Sequence, residues 1–155
     1  ASVCASRVRP GPAHLVVAHG LPVVRCGCGR MGCTETLIAG PGLTRLAQTL
    51  AGRALTPPQV AAERATDPAV ARVWQVWCDL VADLLITLAF VADPAAIVLG
   101  GGLSQIAGLT DDLTAALGAA QLPGFAIPRI LIAQGGDASG ARGAAYAAVL
   151  EAQHG

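Results

Sequence analysis

Three cysteines crowd into eight residues of the run CGCGRMGCTE, Cys26 to Glu35, with glycines between them and a carboxylate at its end. The spacing is Cys26-x-Cys28-x4-Cys33, with His14 upstream. Zinc takes thiolate and imidazole donors in tetrahedral geometry, and three Cys with one His form a closed structural set. Gly27, Gly29 and Gly32 suit such a site, because donors this close in the chain need tight turns with positive φ. Arg30 adds a positive charge that favours thiolate. Two other chemistries compete. Ordinary small hydrophobic cysteines belong in apolar surroundings, whereas this stretch is polar and glycine-rich. A thioredoxin-type redox pair needs C-x-x-C opening a helix, and neither pair here has that spacing. The expectation is therefore a structural zinc that staples a loop and leaves no position open for catalysis. His14 and His19 compete for the fourth place, and spacing does not choose between them. Cys4 and Cys78 have no partner pattern; Cys78 falls inside a long apolar helix.

Around these residues the chain reads as α/β. Residues 1–35 are irregular, with one apolar run, HLVVA (His14 to Ala18), that suits a short strand. Leu43, Leu46 and Leu50 recur at helical spacing, and Gly52 can end that helix. Thr56-Pro57-Pro58 opens a second helix, and Asp67-Pro68, an N-cap followed by proline at the first turn, opens a long one ending near Ala92. Ala96 to Leu99 is a short strand of buried type, turned by Gly100-Gly101-Gly102 into a helix from about Leu103 or Ser104. A helix near Asp111 to Ala120, a strand from Arg129 to Ala133 and a helix from about Ser139 to Glu151 complete the series. Strand, glycine turn and helix, twice over, make α/β architecture.

Composition sets the outer bounds. At 155 residues the chain suits one domain. With zero net charge and no basic cluster it lacks the face of a nucleic-acid binder. Val73 to Ala92 is the most apolar stretch, but Asp79 and Asp83 share one helical face, and the uninterrupted apolar run after Asp83 is shorter than the ~20 residues a membrane span needs. A buried helix is expected there, and no membrane partner. Trp74 and Trp77, three apart, suit the core better than an interface, although apolar positions on that helix exceed one core face. The first residues show no signal peptide, and an odd cysteine count points to the cytoplasm rather than a disulfide scaffold.

The stretch from His14 through CGCGRMGCTE to Ala39-Gly40 resembles the signature of the ROK family of sugar kinases and repressors. That signature is a Gly-Glu-x-Gly-His element followed by Cys-x-Cys-Gly-x-x-Gly-Cys-x-Glu. DPAAIVLGGGLS and GDASGARGAAYAAVL resemble the family's later glycine-rich turn and C-terminal helix, so the likeness covers nearly all of residues 10–150. It implies the C-terminal lobe of an actin-like (ribonuclease H-like) ATPase/sugar kinase fold, spanning residues 1–155 as a single lobe. Residues 1–40 would form the zinc and sugar-binding loop region and residues 41–155 the α/β core, with the N-terminal lobe absent. His14, Cys26, Cys28 and Cys33 match the zinc ligands, Glu35 and His14 the sugar-binding residues, and Gly100, Gly101 and Gly102 the turn against the nucleotide.

Chemically, the resemblance implies ATP- and Mg²⁺-dependent phosphorylation of N-acetylglucosamine or a related hexose at its 6-hydroxyl. The implied partners are the sugar, ATP, the N-terminal lobe of the same protein and a second copy in a homodimer. Gly11 stands where the family has a sugar-binding glutamate, and Ala13 where it has a glycine. The family's first phosphate motif and its catalytic aspartate are not among these residues, and Asp111, Asp112 and Asp137 are not placed to replace that base. These residues alone are therefore expected not to turn over. Two other readings share the cysteine signature: the sugar-sensing half of a repressor, and a non-catalytic zinc-stapled interaction domain.

Overall fold

A computed structural model describes residues 13–135 and 138–154. Cys4, Gly11 and Asp137 lie outside the described residues. The first described element is a helix, α1 (Ala13–Ala18), where a strand was expected. A run of four apolar residues after His14 carries no period that separates strand from helix. No strand among the described residues runs alongside, and the hydrogen bond from His19 N–H to the Leu15 carbonyl closes a helical turn instead.

After the cysteine loop come α2 (Glu35–Ile38) and α3 (Gly40–Ala51), which ends at Gly52 in the left-handed region. Thr56 and Gln59 build a capping box at the start of α4 (Pro57–Glu63). Asp67 caps the long α5 (Pro68–Ala92), its carboxylate accepting from the Ala69 and Val70 amides. Strand β1 (Ala96–Leu99) leads through a 3-10 turn (Gly102–Gln105) into α6 (Leu109–Ala120). Strand β2 (Arg129–Ile132) then pairs parallel with β1, Ala96 facing Arg129 and Leu99 facing Ile132. Helix α7 (Ser139–His154) is the last described element.

The core gathers on α5. By length and composition alone this helix could cross a membrane. Here ten of its residues are buried, among them Val70, Val73, Trp74, Trp77, Leu80 and Leu85. Leu43 and Leu46 of α3, Val60 of α4 and Leu113 and Leu117 of α6 join them with no more than 1% of their surface exposed. Burying such a side chain is worth about 1.5–3 kcal/mol. The tryptophans are core residues: their rings stack with centroids 4.9 Å apart. Each indole N–H also finds a partner, Trp74 donating to Asp112 at 2.8 Å and Trp77 to the Ile38 carbonyl at 2.9 Å.

The strands are less covered than their composition suggests. Val98 is 62% exposed and Leu131 42%, so the expectation of a buried β1 does not hold for the described residues. Tyr146 and Val149 of α7 are likewise exposed. Parallel strands normally bury both faces.

Candidate functional site

The cysteine run forms a tight reversing loop. Arg25 and Met31 make an isolated antiparallel bridge, Cys26 N–H donates to the Arg30 carbonyl at 2.7 Å, and Gly32 N–H to that of Val24 at 3.0 Å. Gly29 and Gly32 carry φ of 87° and 70°, the left-handed conformations expected of them; Gly27, also expected to need one, does not. The reversal brings Cys26, Cys28 and Cys33 together, their sulfurs all within 4.8 Å of one another. Sulfurs held ~2.3 Å from one tetrahedral ion would stand about 3.8 Å apart. The Cys28 and Cys33 sulfurs are 3.5 Å apart, too long for a covalent S–S bond and close to that spacing. The donor set therefore fits zinc. Cys26 and Cys33 are buried and Cys28 exposed, so one side of the cluster is open.

His14 is not brought there. Among the described residues no imidazole joins the three sulfurs. With residues 13–18 helical, His14 lies exposed on α1, near enough to Asp83 of α5 for its charge to act on that carboxyl. His19 is not brought in either.

Glu35 opens α2 two residues after Cys33, and its Oε2 lies 4.0 Å from the Cys26 sulfur. Both line a cleft of about 510 Å³, together with Arg25, Cys28, Thr36, Ala39, Pro41, Gly42 and Arg45. The carboxylate accepts hydrogen bonds only, which suits a polyhydroxylated ligand. A second, mostly apolar cleft of about 380 Å³ is lined by Gly40, Pro57, Pro58, Gly102, Leu103 and Ile106. Of the glycine triplet, Gly102 reaches that cleft, while Gly101, at φ 91°, turns the chain after β1. Ser104 locks the turn, its hydroxyl donating to the Gly101 carbonyl at 2.7 Å. The clefts flank the first turn of α3, with Gly40 lining one and Pro41 and Gly42 the other.

Asp111 and Asp112 sit in the first turn of α6, as expected, and Asp112 is engaged by Trp74 and lies 3.7 Å from Arg64. The Arg64 guanidinium covers the Trp74 ring at 4.4 Å. Burial, with the Asp112 and Asp79 charges adding, pushes the Cys78 thiol up to about 12, so it is a neutral core residue.

Arg25, Arg45 and Gly42 were not singled out as site residues by sequence. Nothing local marks them: Arg45 reads as a polar position on a helix and Gly42 as one of many glycines.

Comparison with known proteins gives the family. The model of the ROK family matches residues 13–150. The N-acetylgalactosamine kinase AgaK of Shewanella sp. is 40% identical over 134 residues, 86% of this chain and 44% of its own length. An N-acetyl-D-glucosamine kinase of Salmonella arizonae is 37% identical over 139 residues, 88% of this chain and 46% of its own. The ROK hexokinase of Thermus thermophilus superposes with a TM-score of 0.69 at 34% identity, covering 88% of this chain and 46% of that one. The chain thus spans less than half the length of these relatives, whose fold is that of the actin-like ATPase sugar kinases. The signature loop, the βαβ unit and a match over most of its residues lead to one conclusion: the chain belongs to the ROK family.

Proposed function

We propose that this chain is the C-terminal lobe of an ATP-dependent kinase that phosphorylates N-acetylglucosamine or a related amino sugar or hexose at its 6-hydroxyl. The observation that carries it is the placement of two clefts on either side of the first turn of α3, one lined by Glu35, Arg25, Arg45 and Thr36 and one mostly apolar. Phosphoryl transfer needs sugar and nucleotide side by side, and its catalysis is largely positioning and charge stabilisation. Glu35 is the sugar-binding carboxylate, and Gly100, Gly101 and Gly102 form the nucleotide-side turn. Relatives named as N-acetylhexosamine kinases support the substrate class.

Cys26, Cys28 and Cys33 are the zinc thiolates. When bound, the ion supplies rigidity to the loop ahead of Glu35 rather than a step in the reaction. His14 is the fourth donor and sugar neighbour that the family resemblance implies, and reaching the three sulfurs requires α1 to rearrange. That helix has six residues and none fully buried, although Leu15 and Val16 pack against the core. ATP, Mg²⁺ and the base aspartate act with an N-terminal lobe, which also covers the exposed apolar residues of β1 and β2. The complete protein works in the cytoplasm as a homodimer, with neither nucleic acid nor membrane as partner.

The test is a coupled kinase assay on the complete protein with N-acetylglucosamine, N-acetylgalactosamine and glucose. One sugar is phosphorylated, Glu35→Gln lowers kcat/KM roughly a hundredfold, as losing charged hydrogen bonds does, and the 155-residue chain alone gives no product. No phosphorylation of any of the three sugars by the complete protein refutes the reading.

A further inference from the structure

Helix α2 carries Glu35, yet it has only four residues and cannot hold itself in place. Its outer carbonyls have no intrahelical partners of their own. Glu35 O accepts from the Ala39 amide at 3.1 Å. The Ile38 carbonyl accepts from the Trp77 indole of α5 at 2.9 Å. The Thr36 carbonyl accepts from the Arg45 guanidinium of α3. Two long side chains from two different helices therefore cap one short helix.

The two caps are not alike. Trp77 is buried at 3% exposure and belongs to the core. Arg45 is half-buried and lines the same cleft as Glu35. Its positive charge at the C-terminal end of α2 complements the partial negative charge of the exposed carbonyls there. A planar guanidinium holds such a bond with less freedom than an ammonium does. No element of the family's cysteine signature includes this residue.

We infer that Arg45 is a positioning residue: by capping the Thr36 carbonyl it fixes α2, and with it the carboxylate of Glu35, against the cleft that both residues line. This rests on reading that cleft as the sugar site. Its consequence is specific. Loss of the guanidinium loosens α2 without loosening the core, and weakens the sugar more than the nucleotide.

Arg45→Met keeps the length of the stem and removes the donors; Arg45→Lys restores a charged donor without the planar fork. Residue-resolved hydrogen exchange on the chain reads α2 through the amides of Leu37, Ile38 and Ala39, which bond back to Thr34 and Glu35. Steady-state kinetics on the complete protein read the consequence. We expect exchange at those three amides to rise about tenfold in Arg45→Met while amides of Val73 to Leu80 in α5 are unchanged. KM for the sugar rises about tenfold at unchanged KM for ATP, as a lost charge-assisted bond predicts, and Arg45→Lys falls between. Unchanged exchange overturns the inference even if KM rises, because Arg45 would then touch the sugar directly. Exchange raised equally in α5 overturns it as mere destabilisation, and so does raised α2 exchange with unchanged sugar KM. A complete wild-type protein that phosphorylates no sugar refutes the reading of the cleft instead, and the exchange data then show by themselves whether Arg45 holds α2.

Discussion

Replacing Gly42 with alanine sets helix propensity against packing, and the structure decides the sign. In an open helix interior the change stabilises by about 0.5–1 kcal/mol. At Gly42 an added Cβ would stand 2.4 Å from both the carbonyl carbon and the carbonyl oxygen of Leu37, and 2.8 Å from its Cα. These are backbone atoms of α2, so no rotamer change relieves the clash. Carbon atoms pack at about 3.5–4.0 Å, and α2 would have to retreat by roughly 1 Å. Overpacking of this kind costs about 1–3 kcal/mol, occasionally more. The retreat also draws the Thr36 and Ile38 carbonyls away from Arg45 and Trp77. The net loss is about 2–3 kcal/mol, or a fall in Tm of about 4–12 °C for a chain of this size. Gly40→Ala, in the same turn, is the control. Its Cβ meets only Pro57 Cγ, at 3.8 Å, an ordinary contact, and its stability should stay within about 0.5 kcal/mol of wild type. Urea denaturation followed by tryptophan fluorescence measures both. If Gly42→Ala unfolds at the same urea concentration as Gly40→Ala, the close approach of α3 to α2 is wrong, and so is the account of how Glu35 is held.

Three further outcomes are expected. Metal analysis of the purified chain should find one zinc per molecule and none in Cys28→Ser, with a chelator lowering Tm in the wild type alone. Asp112→Ala strands the Trp74 indole N–H and removes the ion pair of Arg64, whose guanidinium keeps its bond to the Ala107 carbonyl, costing about 1–3 kcal/mol in urea unfolding; Asp112→Asn, which keeps an acceptor, should cost less. Burial raises the Asp83 carboxyl above 3.8, the His14 charge opposing, so the folded chain holds that proton more tightly than the unfolded one. The contribution of Asp83 to stability therefore falls as pH climbs from 3.8 through the folded value and is level above it; Asp83→Asn should remove that slope in urea midpoints measured against pH.

The cysteine loop was legible because its information is local. Donor types, short spacing and glycines at 29 and 32 need only the loop itself to bring three sulfurs together. The same holds for the helix start at Asp67-Pro68 and the stop at Gly52, where capping is decided within a few residues. Local evidence ran out at HLVVA, a run too short to carry a period, and it became helix α1 rather than a strand. With that change His14 moved away from the sulfurs and toward Asp83.

The anchoring of Glu35 was not legible at all. Its helix is held by Trp77, thirty-nine residues beyond the carbonyl it caps, and by Arg45, whose guanidinium could have faced solvent as readily. Likewise Pro57 and Gly102 become walls of one cleft only when α3, α4 and the turn after β1 pack together. Local chemistry, written in neighbouring residues, is set by the sequence by itself: which groups can bind a metal, start a helix or turn the chain. Which of them share a cleft depends on the burial of distant apolar faces against α5, a many-body packing choice that only the tertiary structure makes.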